Sequence, residues 1–270
     1  MELNGRVAVV TGGASGIGRA LAVRVAAEGA RGVVVADLDG AGAEAVAGSI
    51  GPGAVAVGCD VSSDAAVRDL ITRAEDEFGP VDIFFANAGI GSGSGLDADD
   101  AVWDASWAVN VRAHVLAARQ LVPGWIERGE GYFVSTASAA GLLSQIGDAP
   151  YSVTKHAAVG FAEWLSLTFG DRGLRVSCLC PMGVNTAMLN AGLGMEDSHG
   201  VGARVVAAAG RILEPEDVAG EVVAAIRDER FLILPHPEVG EFLRRKGDDP
   251  ERWLAGMRRL QAHVTGPPAG

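Results

Sequence analysis

Short apolar segments rich in β-branched residues alternate with helical segments along most of this 270-residue chain. Seven strands are predicted, at residues 6–10, 32–36, 54–57, 81–86, 131–135, 174–180 and 231–234. Helices are predicted between them, at residues 17–28, 41–49, 63–78, 100–125, 151–169 and 215–227. Strands that are apolar on both faces and separated by helices form a parallel sheet that helices cover on each side. The pattern therefore predicts the α/β class, with a doubly wound seven-stranded parallel sheet.

No linker or internal repeat divides the chain, so we assign residues 1–235 to a single Rossmann-type domain that binds a dinucleotide and carries the catalytic residues. Within it, a substrate loop is expected at about 187–210. Its apolar residues and glycines suit a lid over an apolar ligand, and the alternative is a helix packed on the core.

Residues 236–270 are interpreted as a helical extension of the same domain. Asp249 and Pro250 are typical of a helix start. The apolar stripe that follows consists of Trp253, Leu254, Met257 and Leu260. It is expected to pack on the core or on a neighbouring subunit, while a pocket lid and a membrane-surface helix are less favoured alternatives. Residues 266–270 are expected to be disordered.

The acidic charge restricts the partners. The chain has 22 Lys and Arg against 34 Asp and Glu, a formal net charge of −12. Nucleic acids and anionic membrane surfaces both require a basic face, so neither is expected as a partner. No apolar run approaches the roughly 20 residues of a membrane span, and a cytoplasmic location is expected. The five histidines and three cysteines have no ligand spacing, so no catalytic metal is expected.

A glycine-rich segment, TGGASGIG, follows the first predicted strand at residues 11–18. Gly12, Gly16 and Gly18 stand between a strand and a helix, where backbone amides and the positive helix end can bind a pyrophosphate. The spacing differs from the commoner G-x-G-x-x-G, but the strand before it and the helix after it indicate a nucleotide site.

Asp37 ends the second predicted strand. A carboxylate there can accept hydrogen bonds from the adenine ribose hydroxyls and repels a 2′-phosphate. Its neighbours Leu38 and Ser15 supply no cation for a 2′-phosphate, so NAD is favoured over NADP. The alternative role for Asp37 is a turn or helix-cap acid, for which Asp39 is the better candidate.

Two further strand ends carry candidate cofactor residues. The carboxylate of Asp60 and the backbone amide of Val61 can hold an adenine edge, or this segment can cap the next helix. Asn87 and Gly89 belong to a segment of small residues that permits close approach of the backbone to a ribose, or forms an ordinary turn.

The candidate catalytic residues are Ser138, Tyr151 and Lys155. Tyr151 and Lys155 are four residues apart on one predicted helix and share a face, although an exposed structural pair has the same spacing. An ammonium close to a phenol is expected to lower the pKa of Tyr151 toward working pH, which makes it a proton donor and acceptor. Ser138 follows the fifth strand, where its hydroxyl can bind a substrate oxygen.

Only two of the basic residues are lysines, Lys155 and Lys246. Genomic base composition explains the arginines elsewhere. It does not explain Lys155, because a planar guanidinium cannot replace a compact ammonium beside a phenolate. The sequence alone offers no role for Lys246.

Together, and in this order along the chain, these residues resemble the short-chain dehydrogenase/reductase family, in its subfamily with a TGxxxGIG loop. The resemblance runs from about residue 6 to residue 234. It is carried by TGGASGIG, Asp37, Asp60 and Val61, the NAG segment at 87–89, Asn110, Ser138, the YSVTK segment at 151–155, residues 181–186 and the PEDVA segment at 215–219.

The resemblance implies a role for each candidate catalytic residue. Tyr151 is the general acid and base, and Lys155 lowers its pKa, helped by the positive nicotinamide ring, and binds the nicotinamide ribose. Ser138 orients the substrate oxygen, and Asn110 holds a water that links Lys155 to solvent. Hydride moves between C4 of the nicotinamide and the carbon that bears the oxygen.

The resemblance also implies a cofactor site and an assembly. The cofactor residues are Gly12, Ser15, Gly16, Ile17, Gly18, Asp37, Asp60, Val61, Asn87, Gly89, Tyr151, Lys155, Val184 and Thr186. Val184 and Thr186 hold the carboxamide. The helices at 100–125 and 151–169 usually form a four-helix bundle between subunits, so a homotetramer or homodimer is expected.

Two positions depart from the family pattern. Ala86 stands where the family often has the first Asn of NNAG, and Met182 stands where it often has the Gly of PGxVxT. Neither is expected to abolish NAD binding, but both affect the expected shape of the substrate site.

The function expected from the sequence is hydride transfer between NAD(H) and a small apolar or cyclic secondary alcohol or ketone. One alternative is a β-ketoacyl thioester reductase, against which Asp37 and the acidic charge both argue. The other alternative is a non-catalytic nucleotide-binding scaffold. Such relatives often lose the Tyr or the Lys, whereas this chain has both.

Overall fold

The central strands of the sheet have side chains that are buried on both faces. In the computed structural model, which describes residues 1–195 and 198–265, all strand pairs are parallel, in the order β3-β2-β1-β4-β5-β6-β7. The strands are β1 Val7–Thr11, β2 Gly32–Asp37, β3 Ala54–Gly58, β4 Ile83–Ala86, β5 Gly131–Thr136, β6 Leu174–Leu179 and β7 Leu232–Ile233. This doubly wound order confirms the predicted fold class.

Twelve α-helices are described within these residues. They are α1 Gly16–Ala27, α2 Gly40–Ile50, α3 Asp64–Phe78, α4 Asp100–Trp107, α5 Ala113–Arg128, α6 Ala140–Leu143, α7 Ala149–Phe169, α8 Ala187–Leu193, α9 Val201–Ala209, α10 Pro215–Arg227, α11 Pro237–Asp248 and α12 Pro250–Thr265. Helices α3, α5 and α7 cover one face of the sheet, and α1, α2 and α10 cover the other.

The alternation of side chains along β1 builds both layers of the core. Val7 and Val9 pack toward α3 and α5, whereas Ala8 and Val10 pack toward α1 and α2. Each strand of the centre therefore contributes apolar area to two cores, which explains the continuous apolar runs in the sequence.

The helix predicted over 100–125 begins at Asp100 as expected but is not a single α-helix. A π-helical turn, Ala108–Arg112, lies between α4 and α5, and α5 continues to Arg128. A π turn inserts one residue into the helical repeat without a sequence signature of its own, so the apolar spacing does not reveal it.

The extension contains two helices where the sequence indicated one. Helix α12 begins at Pro250 as predicted, and Asp249 caps it by accepting a hydrogen bond from the Arg252 amide at 2.9 Å. Helix α11 was missed because its few apolar residues lie among many charged ones. Residues 266–270, expected to be disordered, lie outside the described residues.

The extension packs against elements close to the substrate loop. Helix α11 lies against α6, and α12 lies against α9. Trp253 lies near Phe242, with tilted rings whose centroids are 5.9 Å apart, whereas Leu254 is 54% exposed, so the predicted stripe is only half-buried. Lys246 donates a hydrogen bond to the carbonyl of Leu142 at 2.6 Å, at the end of α6. This contact supplies the role that the sequence did not reveal.

Candidate active site

A cavity of about 700 Å³ lies at the carboxyl ends of the strands, where a doubly wound sheet places its ligand. It brings together almost all of the residues singled out in the sequence. These are Gly12, Ser15, Gly16, Ile17, Gly18, Asp37, Asp60, Val61, Asn87, Gly89, Ser138, Tyr151, Lys155, Val184 and Thr186. Asn110 is fully buried behind the cavity wall.

The glycine-rich loop after β1 needs its glycines for two different reasons. Gly12 and Gly16 have φ angles of +65° and +52°, in the left-handed region that side chains disfavour. A Cβ on Gly18 would lie 1.9 Å from the carbonyl oxygen of Gly12, so α1 could not begin so close to the loop with any other residue. The loop therefore brings backbone amides and the start of α1 to the cavity.

Asn87 fastens this loop to the end of β4. Its side-chain amide donates to the carbonyl oxygens of Thr11, at 3.0 Å, and Gly12, at 3.4 Å. In return, the hydroxyl of Thr11 accepts from the backbone amides of Asn87 and Ala88. Ala86, which precedes Asn87, is buried in the core, so the hydrogen bonds between this segment and the glycine-rich loop are made by Asn87 and Thr11.

Asp37 is the last residue of β2 and lines the cavity. In the sheet, β2 is separated by β1 and β4 from β5, the strand that precedes Ser138. The carboxylate of Asp37 accepts from the backbone amides of Ala14 and Asp39, both at 3.0 Å. Two acceptor oxygens have about four lone-pair positions, so the carboxylate keeps capacity for ribose hydroxyls. The cap of α2 is made by Asp39, which accepts from the amide of Gly42, as the sequence favoured.

The segment after β3 lines the cavity and leads into α3, while its contact with an adenine stays a prediction. Asp60 lines the cavity and also accepts from the amide and hydroxyl of Ser62, at 2.9 and 2.7 Å. Val61 is buried at the cavity wall. The cap of α3 belongs to Ser63, whose hydroxyl accepts from the Ala66 amide.

Lys155 is a buried lysine, with 2% of its surface exposed. Its ammonium donates to the carbonyl oxygen of Thr136, at 3.0 Å, at the end of β5. Burial lowers the pKa of Lys155 to about 8, because the charged form loses solvation. A Cβ on Gly89 would lie 3.1 Å from Nζ, so this glycine leaves the ammonium open to the cavity.

Tyr151 lies one helical turn before Lys155 on α7, and the ammonium is 5.5 Å from its ring centroid. Burial raises the pKa of Tyr151, the hydrogen-bonding hydroxyl of Ser138 lowers it, and the charge of Asp148 raises it. The predicted lowering of this pKa by Lys155 is therefore wrong for the protein alone. Desolvation of a phenolate outweighs an ammonium that lies over the ring face.

Ser138 follows β5 and is nearly buried beside Tyr151. Its Oγ accepts from the amide of Ala140 at 3.1 Å and donates to the carbonyl of Pro181 at 3.4 Å. The second bond is long, so the hydroxyl can turn toward a substrate oxygen at little cost.

Asn110 occupies the π-helical turn and ties three elements together. Its Oδ1 accepts from the Ile90 amide, and its Nδ2 donates to the Ile90 carbonyl and to the hydroxyl of Thr154. A Cβ on Gly89 would lie 3.3 Å from Asn110 Oδ1, which places this oxygen near Lys155. The expected water between them stays a prediction.

Asp148 is a site residue that the sequence reasoning missed. Its buried carboxylate accepts from the Tyr151 amide at 3.0 Å, which caps α7, and from Ser92 and Gly93 in the loop after β4. One carboxylate thus holds the catalytic helix against the cavity wall. An Asp followed two residues later by Pro150 is a helix-start signal that could have revealed it.

The substrate end of the cavity is mostly apolar. It is lined by Met182 of the loop after β6, Met188 and Leu189 of α8, Met195 just after α8, and Ala203 and Val206 of α9. Gln145, not singled out in the sequence, donates to the carbonyls of Ile146 and Gly202 and so connects α9 to the rest of the site. Both helices of the expected substrate loop therefore face the cavity.

Within residues 1–195 and 198–265, no helix has the length and apolar character that crossing a bilayer requires. The same residues contain no group of three or more His, Cys, Asp or Glu side chains placed to hold a metal ion. The absence of a catalytic metal in the working protein stays a prediction.

Known proteins resemble this chain in sequence and in structure. A family model described as short chain dehydrogenase matches residues 6–196. The chain is similar to 1-deoxy-11-beta-hydroxypentalenate dehydrogenase of Streptomyces exfoliatus, at 35% identity over 94% of this chain and 92% of that protein. It is also similar to 2-(S)-hydroxypropyl-CoM dehydrogenase 3 of Xanthobacter autotrophicus, at 38% identity over 86% of this chain and 93% of that protein. A Burkholderia phymatum short chain dehydrogenase/reductase solved in complex with NAD superposes with a TM-score of 0.84, at 33% identity over 93% of this chain and 96% of that one.

The charge of Asp148 should be measurable in the titration of Tyr151. Since the chain has only two tyrosines, a Tyr132→Phe background leaves Tyr151 as the sole phenol. In that background, Asp148→Asn keeps a helix-capping oxygen but removes the charge, so the phenolate absorbance should develop at lower pH. Asp171→Asn removes an equal charge just beyond the far end of α7, about 30 Å from Tyr151, and should leave the midpoint unchanged. An unshifted midpoint in Asp148→Asn would show that the carboxylate does not act on the phenol.

Proposed function

This chain belongs to the short-chain dehydrogenase family, whose members are oxidoreductases that act on hydroxyl and carbonyl groups. From that premise we propose that it is an NAD(H)-dependent enzyme that oxidises secondary alcohols or reduces the corresponding ketones. One observation carries the proposal: a single cavity holds Ser138, Tyr151 and Lys155 at one end and the carboxylate of Asp37 at the other.

The residues of the cavity fit a dinucleotide. The left-handed glycines of the loop after β1 leave space for a pyrophosphate, and a Cβ on Gly16 would already meet Thr186 Cγ2 at 3.1 Å across the cleft. The hydroxyl of Thr136 is buried at the cavity wall with no hydrogen-bond partner in the described part of the chain. A buried hydroxyl of this kind favours a ligand or water that satisfies it.

We assign the dinucleotide to the residues that the sequence singled out. The pyrophosphate would be held by Gly12, Ser15, Gly16, Ile17 and Gly18, and the adenosine by Asp37, Asp60 and Val61. The nicotinamide ribose would be held by Asn87, Gly89, Tyr151 and Lys155, and the carboxamide by Val184 and Thr186. Bound NAD would exchange a hydride at C4 of its nicotinamide and, when oxidised, would bring a positive charge beside Tyr151.

Tyr151 performs the proton transfer in this proposal. Its phenol oxygen takes the hydroxyl proton from an alcohol, or returns a proton to a carbonyl oxygen, while Ser138 donates a hydrogen bond to the same substrate oxygen. In the protein alone, burial raises the pKa of Tyr151 and lowers that of Lys155. The phenolate therefore needs added positive charge in the cavity, which couples proton abstraction to cofactor occupancy.

The substrate class follows from the apolar walls. Methionine and leucine side chains from the loop after β6 and from α8 favour an apolar or cyclic secondary alcohol over a sugar or a phosphate ester. The similar Streptomyces exfoliatus protein is named 1-deoxy-11-beta-hydroxypentalenate dehydrogenase, a name that indicates a hydroxyl-bearing substrate. A β-ketoacyl thioester on an acidic carrier is disfavoured, since the chain carries a net charge of −12.

The assembly proposed is a homodimer or homotetramer formed through α4, α5 and α7. Four large apolar side chains are exposed on α4 and α7, namely Trp107, Val153, Trp164 and Leu167. Leu167 is 87% exposed, and exposure of large apolar side chains is typical of a surface that pairs with another subunit.

Replacing Tyr151 by Phe should remove the proton-transferring oxygen while leaving the ring in place. Turnover of apolar secondary alcohols, followed by NADH absorbance, should fall at least about a hundredfold. NADH affinity, followed by fluorescence, should change by no more than about threefold, since the ring is kept. Tyr132→Phe alters a buried tyrosine bonded to Ser177 outside the cavity and serves as the matched control. Comparable turnover in Tyr151→Phe and the control would overturn the assigned acid and base. Turnover of no alcohol or ketone by the unaltered protein would favour the scaffold.

Removing the charge of Asp37 should relax the choice of cofactor. Asp37→Asn keeps an acceptor oxygen but no longer repels a 2′-phosphate, so the ratio of NADPH to NADH affinity should rise at least about tenfold. Asp39→Asn, which retains a capping oxygen for α2, should leave the ratio as it is. Both ratios come from fluorescence titration with each nucleotide. Equal affinity of the unaltered protein for the two nucleotides would contradict the role given to Asp37.

Placing a charge on the exposed face of α7 should separate the subunits. Leu167→Glu puts a carboxylate in the proposed interface, so light scattering coupled to size exclusion should show a lower mass than the unaltered protein. Leu96→Glu changes a leucine of the loop after β4 that is 98% exposed, and it should leave the mass unchanged. A monomeric unaltered protein at micromolar concentration would remove the basis for this assembly.

A further inference from the structure

His236 is a buried histidine whose ring connects its own segment to two others, the loop after β6 and the segment after α9. It stands between β7 and α11, and 2% of its surface is exposed. Its Nδ1 lies 3.2 Å from the Met182 amide, and its Nε2 lies 3.1 Å from the carbonyl of Gly183 and 3.0 Å from that of Arg211. A backbone amide only donates and carbonyls only accept, so the ring accepts at Nδ1 and donates from Nε2.

The backbone groups that His236 binds lead directly to the cavity. Met182 and Gly183 precede Val184 and Thr186, which line the proposed nicotinamide end. Gly183 and Asn185 also pair with Leu213, through hydrogen bonds of 2.9 and 2.8 Å. The loop after β6 is thus fixed on one side by the segment before α10 and on the other by the imidazole.

Arg211, the third partner, belongs to the segment that leaves α9. Helix α9 lines the substrate end of the cavity through Ala203 and Val206. A hydrogen bond to the Arg211 carbonyl therefore acts where this helix is connected to the body of the domain. His236 reaches both the nicotinamide end and the substrate end from outside the cavity lining.

The loop after β6 and the end of α9 are also closely packed against each other. A Cβ on Gly183 would lie 3.1 Å from Val206 Cγ1, and a Cβ on Gly210 would lie 2.4 Å from Met182 Cε. Met182, the residue that departs from the family pattern, thus packs against the end of α9. A shift of the loop after β6 would be transmitted to α9, and the imidazole opposes such a shift.

We propose that His236 is a positioning residue that holds the loop after β6 and the end of α9 in the geometry that accepts the nicotinamide half of the cofactor. The proposal rests on the proposed function, because it concerns the same cofactor site. It makes no claim on the adenosine half, which we assign to residues that follow β2 and β3, toward the opposite end of the strand order from β6 and β7.

The two halves of the cofactor supply the test. NADH contains the nicotinamide and ADP-ribose lacks it, so their affinities report the two halves separately. His236→Ala should weaken NADH binding about tenfold and change ADP-ribose binding by less than about twofold. His263→Gln alters an exposed histidine of α12 and should change neither. Both affinities are measured by calorimetric titration of the full chain.

Two conservative variants divide the contacts of the ring. The amide nitrogen of Gln matches the position of Nε2, so His236→Gln keeps a donor to Gly183 and Arg211. The amide oxygen of Asn matches Nδ1, so His236→Asn keeps an acceptor for Met182. Hydrogen exchange on the protein without nucleotide should then rise at the Met182 amide in His236→Gln and near residues 209–213 in His236→Asn, and at both places in His236→Ala.

The outcomes separate this inference from the proposed function. Equal losses for NADH and ADP-ribose, or an unchanged NADH affinity in a folded His236→Ala, would overturn the positioning role, since a merely structural histidine affects both ligands alike. If His236→Ala does not fold, the same ratio is read from His236→Gln, where a threefold selective loss of NADH is expected and none would overturn the inference. If the unaltered protein binds neither nucleotide, the proposed function itself fails.

Discussion

The burial of both faces of a parallel sheet is the constraint on which the rest of this structure depends. Strands such as β1 and β5 can be apolar on both sides only if helices cover each side, and each crossover must then return to the same edge. All carboxyl ends therefore lie together. The glycine loop, the Asp37 carboxylate and the Ser138 hydroxyl come from distant parts of the chain, and this topology alone brings them into one cavity.

The same burial decides the chemistry of the site. Lys155 and Tyr151 are both desolvated, which lowers the pKa of the ammonium and raises that of the phenol. Each group is thereby moved toward its neutral form. A site in this state is poorly suited to remove a proton until another charge enters, so an ionised phenolate is not maintained in the protein alone.

Much of the fold could be predicted from the sequence because the signals are local. Apolar runs of β-branched residues give the strands, and Gly12, Asp37 and Asp249 each mark a strand end or a helix start through their own backbone geometry. Many residues of the cavity could be named for the same reason, since they follow strands, whereas Tyr151 and Lys155 could be named from their spacing on one helix.

What could not be predicted depends on contacts between distant segments. His236 has backbone partners 25 to 54 residues away, and no spacing in the sequence points to them. Helix α11 has few apolar residues of its own and is fixed by its neighbours. The direction of the Tyr151 pKa shift depends on burial, which helical spacing does not report. Asp148 is different, because its capping signal was present beside Pro150.

The contacts of His236 and Lys246 bear on how the protein is made. A ribosome releases the chain from its first residue onward, at roughly 5–20 residues per second. The strands β1 to β6 and the whole proton-transfer set precede residue 182, so they emerge before the two side chains that fasten the loop after β6 and the end of α6. A nascent chain can therefore contain every reacting group before the hydrogen bonds of His236 and Lys246 can form. Elements that are synthesised after β6 thus complete the packing around the cavity.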